Sequence, residues 1–373
     1  MLPATFIEDG TTESAYSFVI TAKEKVLELE QLNIDSEYID QLSVLDIDNV
    51  YDVIQTENLT EEQAQNLVKT WAENEAYGVD AEPPVEIEPN FEKGVSDRAY
   101  SGSITPVGNV DDNTGYHYIV RSVPGYNKAT GYFSLPTTTV GSAMPSSNPD
   151  VPYGHFGLYT EDNNVGLDLG TVLFVKEGYW RFYIQGYVKY SDNATAIAQN
   201  SGQKYTKYYK ELAVNGTTYK YTKSKCPRVY MIANAIKKTG YDTYRLTAIN
   251  AADWSTIGEI NINTNEKGYQ GDPNRKNLAP NKSYLTSNCS NCRVHREVTL
   301  AYASDPERVL TGTSVMGAKW DNVYIYSPTV TTVWGTAPTR NAQYVGKTLD
   351  RAKKVSTTIA TKWSEDTTNI VCK

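Results

Sequence analysis

Along residues 179–189 apolar and polar positions alternate without a break. Trp180, Phe182, Ile184, Gly186 and Val188 share one parity, and Tyr179, Arg181, Tyr183, Gln185, Tyr187 and Lys189 the other. This is the period-two signature of an antiparallel strand with one buried face. The same alternation recurs less cleanly at 228–236, 241–249, 292–302 and 319–327, where Val323 and Ile325 are core candidates. Residues 166–175 are more continuously apolar, as a central strand requires. Turn residues recur at about every tenth position from residue 100 onward, a spacing that predicts a sandwich rather than alternating βα units. The stretch 341–362 fits a helix or a final strand equally.

The first 78 residues follow a different period. Thr60-Glu61-Glu62-Gln63 has the form of a capping box. Behind it, Ala64, Leu67, Val68 and Trp71 make a helical stripe at i, i+3, i+4 and i+7. Ser36 can cap a second helix carrying Ile39, Leu42 and Leu45. Asp46 or Asp48 can begin a third through Val50, Val53 and Ile54, and residues 16–30 suit a fourth. A small bundle and a pro-region both fit this segment. Residues 79–99, with Pro83, Pro84 and Pro89 and no helical period, read as a linker. The expected organisation is an acidic helical segment at 1–78, a linker at 79–99 and a mainly β, antiparallel sandwich of jelly-roll or concanavalin-like type at 100–373.

Charge sharpens that division. Residues 1–100 hold 5 basic and 23 acidic side chains, a net of −18, whereas residues 101–373 hold 30 and 21, a net of +9, with 24 of the 29 tyrosines. Opposite signs allow the two parts to attract, within one chain or between copies. The overall −9 argues against a general nucleic-acid binder, which needs a basic surface. No apolar run reaches the ~20 residues of a membrane span. The start Met1-Leu2-Pro3-Ala4 shows neither the basic nor the apolar region of a signal peptide.

Catalytic motifs are absent. Past residue 100 no paired-carboxylate strand motif of a glycoside hydrolase occurs; Glu259 and Glu297 stand singly in strand-like stretches. His117, His155 and His295 are the only histidines, too few for a His-rich metalloenzyme, and no Gly-x-Ser-x-Gly elbow accompanies them. His295 reads as a solvent-facing sheet residue and His155 as a packed or turn histidine, and no residue is assigned a catalytic role. The candidate oxygen clusters for calcium are Asp111-Asp112-Asn113 and Glu161-Asp162-Asn163-Asn164, with Asp111, Asp112 and Asp162 as the ligand carboxylates.

The tyrosine surplus is the more distinctive feature. Tyr183, flanked on its face by Arg181, Gln185 and Tyr187, offers aromatic area for a sugar and polar groups to orient it; the same face could pack on another layer or another copy. A second basic-aromatic patch joins Tyr205, Tyr208, Tyr209, Tyr219 and Tyr221 to Lys204, Lys207, Lys210 and Lys220.

The segments Val165-Gly-Leu-Asp-Leu-Gly-Thr, Gly178-Tyr-Trp-Arg-Phe, Arg293-Val-His-Arg-Glu-Val-Thr-Leu-Ala and Lys319-Trp-Asp-Asn-Val-Tyr-Ile-Tyr resemble the YrpD-like family of secreted proteins from Gram-positive spore-formers, over about residues 100–335. The resemblance implies secretion and a lectin-like sandwich, and supplies no catalytic residues. With the even cysteine count it favours disulfides among Cys226, Cys289, Cys292 and Cys372, in any of three pairings; a four-thiolate zinc site and free thiols are the alternatives. The expectation is an extracellular or cell-surface, non-catalytic sandwich that binds a glycan or cell-wall polymer. A structural subunit assembling through further copies of itself, and a glycan-active enzyme, are the rivals.

Overall fold

The structure is a computed structural model that describes residues 22–39, 42, 47, 50, 51, 53–55, 59–75, 105–107, 115–144, 149–189, 193–195, 204–265, 285–286, 289–302, 311–327, 331–335, 338–345, 354–359 and 365–372. It is mainly β, with antiparallel sheets in a sandwich-like arrangement and a few short helices.

The first sheet has eight strands. In spatial order they are β1 (Thr105–Val107), β17 (Thr339–Val345), β2 (Gly115–Ser122), β14 (Cys292–Tyr302), β5 (Asp150–Thr160), β6 (Val165–Phe174), β7 (Tyr179–Lys189) and β8 (Tyr205–Glu211). All neighbours are antiparallel except β1 and β17. The second sheet runs β13 (Thr256–Asn263), β12 (Tyr241–Asn250), β11 (Arg228–Lys238), β3 (Lys128–Ser134), β15 (Ser314–Tyr326), β19 (Asp366–Val371) and β18 (Val355–Ile359). Two short strands, β4 (Thr137–Thr139) and β16 (Thr331–Val333), also pair with β15, and β9 (Ala213–Val214) and β10 (Thr217–Thr218) form a separate hairpin. The stretch 341–362, open on sequence grounds, contributes β17 and β18.

One core fills the space between the sheets. On β7 it takes Trp180, Phe182, Ile184 and Val188, the apolar parity of the sequence. Trp320 of β15 packs at ring-centroid distances of 4.8 Å on Phe133 of β3 and 4.5 Å on Phe156 of β5, joining the two layers.

A second cluster lies on the outer face of the second sheet. Leu29, Ile39, Ala64, Leu67 and Val68 from the acidic segment bury against Tyr132, Tyr230, Ile232 and Trp254. Apolar stripes on short helices need such a surface, because helices of this length are marginal alone. The helix Glu61–Glu75 begins with the expected capping box: the Thr60 amide donates to Gln63 Oε1 at 3.0 Å and the Gln63 amide to Thr60 Oγ1 at 3.3 Å. The side chain of Trp71 lies outside the described residues. At the helix Ser36–Ile39 the cap is Asp35, whose Oδ1 accepts the Glu37 amide at 3.0 Å, and not Ser36. Among the described residues no helix is long and apolar enough to cross a membrane.

Cys226 and Cys372 depart from the disulfide expectation. Cys226 and Cys372 are free, buried thiols, and Cys292 is buried; the side chain of Cys289 lies outside the described residues. Cys292 Sγ donates to the Leu285 carbonyl at 3.1 Å, and Cys226 Sγ to the Arg228 carbonyl at 3.5 Å. All three belong to the core cluster, where cysteine serves as a small hydrophobe. Burial pushes the Cys226 thiol up from 9.0 to about 11 and the Cys372 thiol to about 12. A rise of that size cuts the thiolate fraction about 100-fold or more. Native full-length protein at pH 8 should therefore alkylate at Cys226 and Cys372 at least about 100-fold more slowly than unfolded protein. Peptide mass mapping reads this site by site, and rapid native labelling would contradict the packing.

Candidate functional site

The face of the first sheet that turns away from the core is polar, and strand parity decides what it carries. On β2, Tyr116, Tyr118 and Val120 enter the core, so His117, Ile119 and Arg121 point the other way. On β14, Val294, Val298 and Leu300 point inward, leaving Arg293, His295, Glu297 and Thr299 on the outer side. By the same rule β5 presents Tyr153, His155, Gly157 and Tyr159, β6 presents Gly166, Asp168 and Gly170, and β7 presents Tyr183.

Register then aligns these residues across the strands. Glu297 lies opposite His155, which lies opposite Gly170, which lies opposite Tyr183. The adjacent row runs Arg121, His295, Gly157, Asp168, Gln185 and Tyr209. All three histidines of the chain and two carboxylates meet in these rows and the next.

The cluster is tightly connected. His117 Nδ1 and the Thr299 hydroxyl both donate to Glu297 Oε1, with Thr299 Oγ1 3.0 Å from His117 Nδ1. His155 Nε2 lies 3.5 Å from Glu297 Oε2 and 3.5 Å from Asp168 Oδ1. His295 Nε2 lies 3.6 Å from the same Asp168 oxygen and 3.8 Å from the same Glu297 oxygen. The Tyr159 hydroxyl donates to Asp168 Oδ1 at 2.8 Å, and the Tyr183 hydroxyl is 3.2 Å from His155 Nδ1. His117, His155 and His295 are each 5% exposed and Glu297 6%, whereas the Asp168 side chain keeps 22% of its surface open.

Two glycines create room for these rings. A Cβ on Gly157 would fall 2.1 Å from His295 Nε2, because the imidazole lies directly over that glycine. A Cβ on Gly170 would fall 2.3 Å from the Gly154 carbonyl and 2.5 Å from His155 Cα. The Tyr159 ring caps His295 at a centroid distance of 4.4 Å.

Electrostatics follow from this crowding. Burial alone would raise the Glu297 carboxyl, but His117 and His155 hold it well below the usual carboxylate range. Asp168 is likewise opposed by burial and lowered on balance by His155 and His295. Burial works against a charged His155, yet Asp168 and Glu297 raise it above the ordinary imidazole value. His295 goes the other way, because burial outweighs the same carboxylates. Burial, reinforced by Asp168, raises the hydroxyls of Tyr159 and Tyr183 well above the usual phenol range.

Of the residues singled out from sequence, Tyr183 sits on the non-core face as its parity requires, but it is 0% exposed and touches His155. Arg181 is engaged by Glu177 and Glu211, and its guanidinium carbon stacks 3.9 Å from the Phe174 ring centroid. Gln185 and Tyr187 remain half-buried at the surface of the face. Asp162 is exposed in the β5–β6 turn, and its two oxygens accept from the Asn164 amide and side chain. Asp111 and Asp112 lie outside the described residues. His295, expected to face solvent, is buried by the cluster it joins.

Asp168 escaped the sequence reading. The available signal was a lone carboxylate at the centre of Gly166-Leu-Asp-Leu-Gly170, where two-sided burial leaves no reason for a charge. His155, His295, Asp168 and, beside them, Glu297 present the side chains suited to hold a metal ion.

No family model matches the chain, and no curated protein matches it. Solved structures with a similar arrangement include the Scytalido-glutamic peptidase with a peptide-based transition state analog, with a TM-score of 0.37 and 6% identity over 69% of this chain and 98% of that one. The same peptidase with a transition state analog inhibitor gives 0.38 and 7%, over 70% and 100%. SCP-B, a member of the Eqolisin family of peptidases in complex with a tripeptide, gives 0.33 and 6%, over 69% and 98%.

Proposed function

We propose that the polar face of the eight-stranded sheet is the active site of a hydrolase acting on an extended polymer, with a glycan as the favoured class. One observation carries this reading: every histidine of the chain converges with two carboxylates on one face, and Asp168 alone among the five is open to solvent. Burying four ionisable groups beside a fifth costs folding free energy, and such clusters concentrate where chemistry needs them. Asp168 is the member that a substrate would meet. In hydrolysis the oxygen of water bonds to the electrophilic carbon as the bond to the leaving group breaks. One proton of that water passes to the carboxylate–imidazole set, which returns a proton to the leaving group.

Half-buried Gln185, Tyr187 and Tyr209 extend the face beyond Asp168 and supply the aromatic area and amide that a sugar chain uses. The same three residues favour the second reading, a glycan-binding face without turnover. An extracellular setting, implied by the YrpD-like resemblance, suits either polymer role. A panel of soluble polysaccharides and peptides, incubated with the full-length chain and followed by product mass spectrometry, tests the proposal. Hydrolysis is expected for one class, reduced at least about tenfold in Asp168→Asn with an unchanged melting temperature. Retention of a polysaccharide with no product would favour the binding reading, and neither retention nor product would remove both.

A further inference from the structure

We propose that this face binds one zinc-type divalent ion between His155 Nε2, His295 Nε2, Asp168 Oδ1 and Glu297 Oε2. The spacing is the first ground. The four separations between these imidazole nitrogens and carboxylate oxygens are 3.5, 3.5, 3.6 and 3.8 Å. They are too long for good N–H···O hydrogen bonds, which cluster at about 2.9–3.0 Å. They approach four of the six edges of a tetrahedron built on bonds of about 2.0–2.1 Å, which come to about 3.4 Å. Four donor atoms thus surround a gap that direct hydrogen bonding leaves open.

The second ground is His295 itself. Its Nε2 is buried and makes no hydrogen bond, although it points at two carboxylates. A buried polar atom without a partner is costly, and an ion at the centre of the gap would complete it.

The third ground is how the donors are held. Metal-ligating side chains are oriented by hydrogen bonds on their far sides. Tyr183 engages His155 at Nδ1, leaving Nε2 to face the gap. His117 and Thr299 occupy Glu297 Oε1, leaving Oε2. Tyr159 fixes Asp168 at Oδ1, the oxygen that also faces both imidazoles. Two imidazoles with two carboxylates suit zinc and its first-row neighbours, whereas calcium and magnesium prefer all-oxygen sets. The open side of Asp168 gives water a route to the ion. Ion binding itself stands apart from the hydrolase reading, on which only its chemical use rests: a bound zinc ion would supply a more acidic water.

The test uses the full-length chain, stripped with a chelator and titrated at neutral pH with zinc against a chromophoric competitor. Cobalt(II) serves as a spectroscopic substitute. One equivalent is expected, with the intense visible bands of a four- or five-coordinate cobalt site. Asp168→Ala and His295→Gln should weaken zinc binding by at least about 100-fold, and His117→Ala, which only loosens Glu297, by about tenfold. Near-ultraviolet circular dichroism identifies variants that remain folded, and the wild-type titration stands without them. Failure of folded wild-type protein to take up zinc or cobalt would overturn the inference, as would equal affinity in folded His295→Gln and Asp168→Ala. Hydrolysis that persists in protein shown to bind no metal would remove the ion and leave the hydrolase. Stoichiometric zinc uptake without any turnover would do the reverse.

Discussion

Arg296→Met should lower the unfolding free energy by about 3–5 kcal/mol, the usual consequence of stranding one partner of a buried ion pair. Arg296 sits between His295 and Glu297 on β14 but has the opposite parity, so its side chain enters the core and is 0% exposed. Its Nε and Nη2 donate to Asp366 Oδ2 on β19 at 2.9 and 2.7 Å. The guanidinium carbon lies 4.8 Å from the Trp334 ring centroid. The pair therefore ties the first sheet to the second, directly beneath the polar cluster. Methionine fills much of the same volume, and the loss would come from Asp366 left charged or protonated in an apolar setting. The double variant Arg296→Met, Asp366→Leu should recover most of that loss, because replacing a whole buried pair by apolar groups is often close to neutral. Urea unfolding of the three proteins measures both steps through the midpoint at constant slope. A single-variant loss below about 1 kcal/mol would mean that water reaches Asp366.

Gly157→Ala should separate the site from the fold. The added methyl would meet His295 Nε2 at 2.1 Å, and the imidazole, a side chain, can swing aside where backbone could not. A reacting group misplaced by about 1 Å can cost roughly 100-fold in rate, so the proposed hydrolysis should fall by at least that factor. Zinc binding should fall with it. Gly157 lies on β5 between β14 and β6, and its extended backbone accepts alanine, so stability should drop by no more than about 1–2 kcal/mol. Gly170→Ala is the contrast. There the methyl would meet the Gly154 carbonyl at 2.3 Å and His155 Cα at 2.5 Å, so the strands themselves must part. Comparable damage to stability from both substitutions would show that His295 is locked in place by its surroundings.

Period-two alternation was enough to locate β7, β11, β12, β14 and much of β15, and the core parity of β7 is the one its sequence displays. The capping box at Thr60 was equally legible because it is local. The site was not. His117, His155, Asp168, His295 and Glu297 come from four strands, and their meeting depends on β14 lying between β2 and β5. Nothing local records that order, so each residue looked isolated along the chain, and three histidines counted as few instead of as convergent. The parity of His295 was readable, whereas its burial depends on Tyr159 and Asp168, which arrive from β5 and β6. The cysteines misled for a different reason. An even number suggests pairing, yet Cys226 and Cys372 stand as free thiols in the apolar core. Asp35 displaced Ser36 as a cap because either residue type can accept the amide.

The position of β14 has a consequence for biosynthesis. Strands β2 and β5 emerge from the ribosome early, but the strand that joins them begins only at Cys292. At ordinary elongation rates the interval is on the order of ten seconds. Throughout it β2, whose partners β14 and β17 both come later, has no neighbour in its sheet, and β5 keeps one unpaired edge, a template for pairing with any extended segment nearby. Chaperone demand should therefore peak before residue 292 is made. A chain stalled before residue 292 would lack His295 and Glu297 together, keeping only His117, His155 and Asp168 of the cluster.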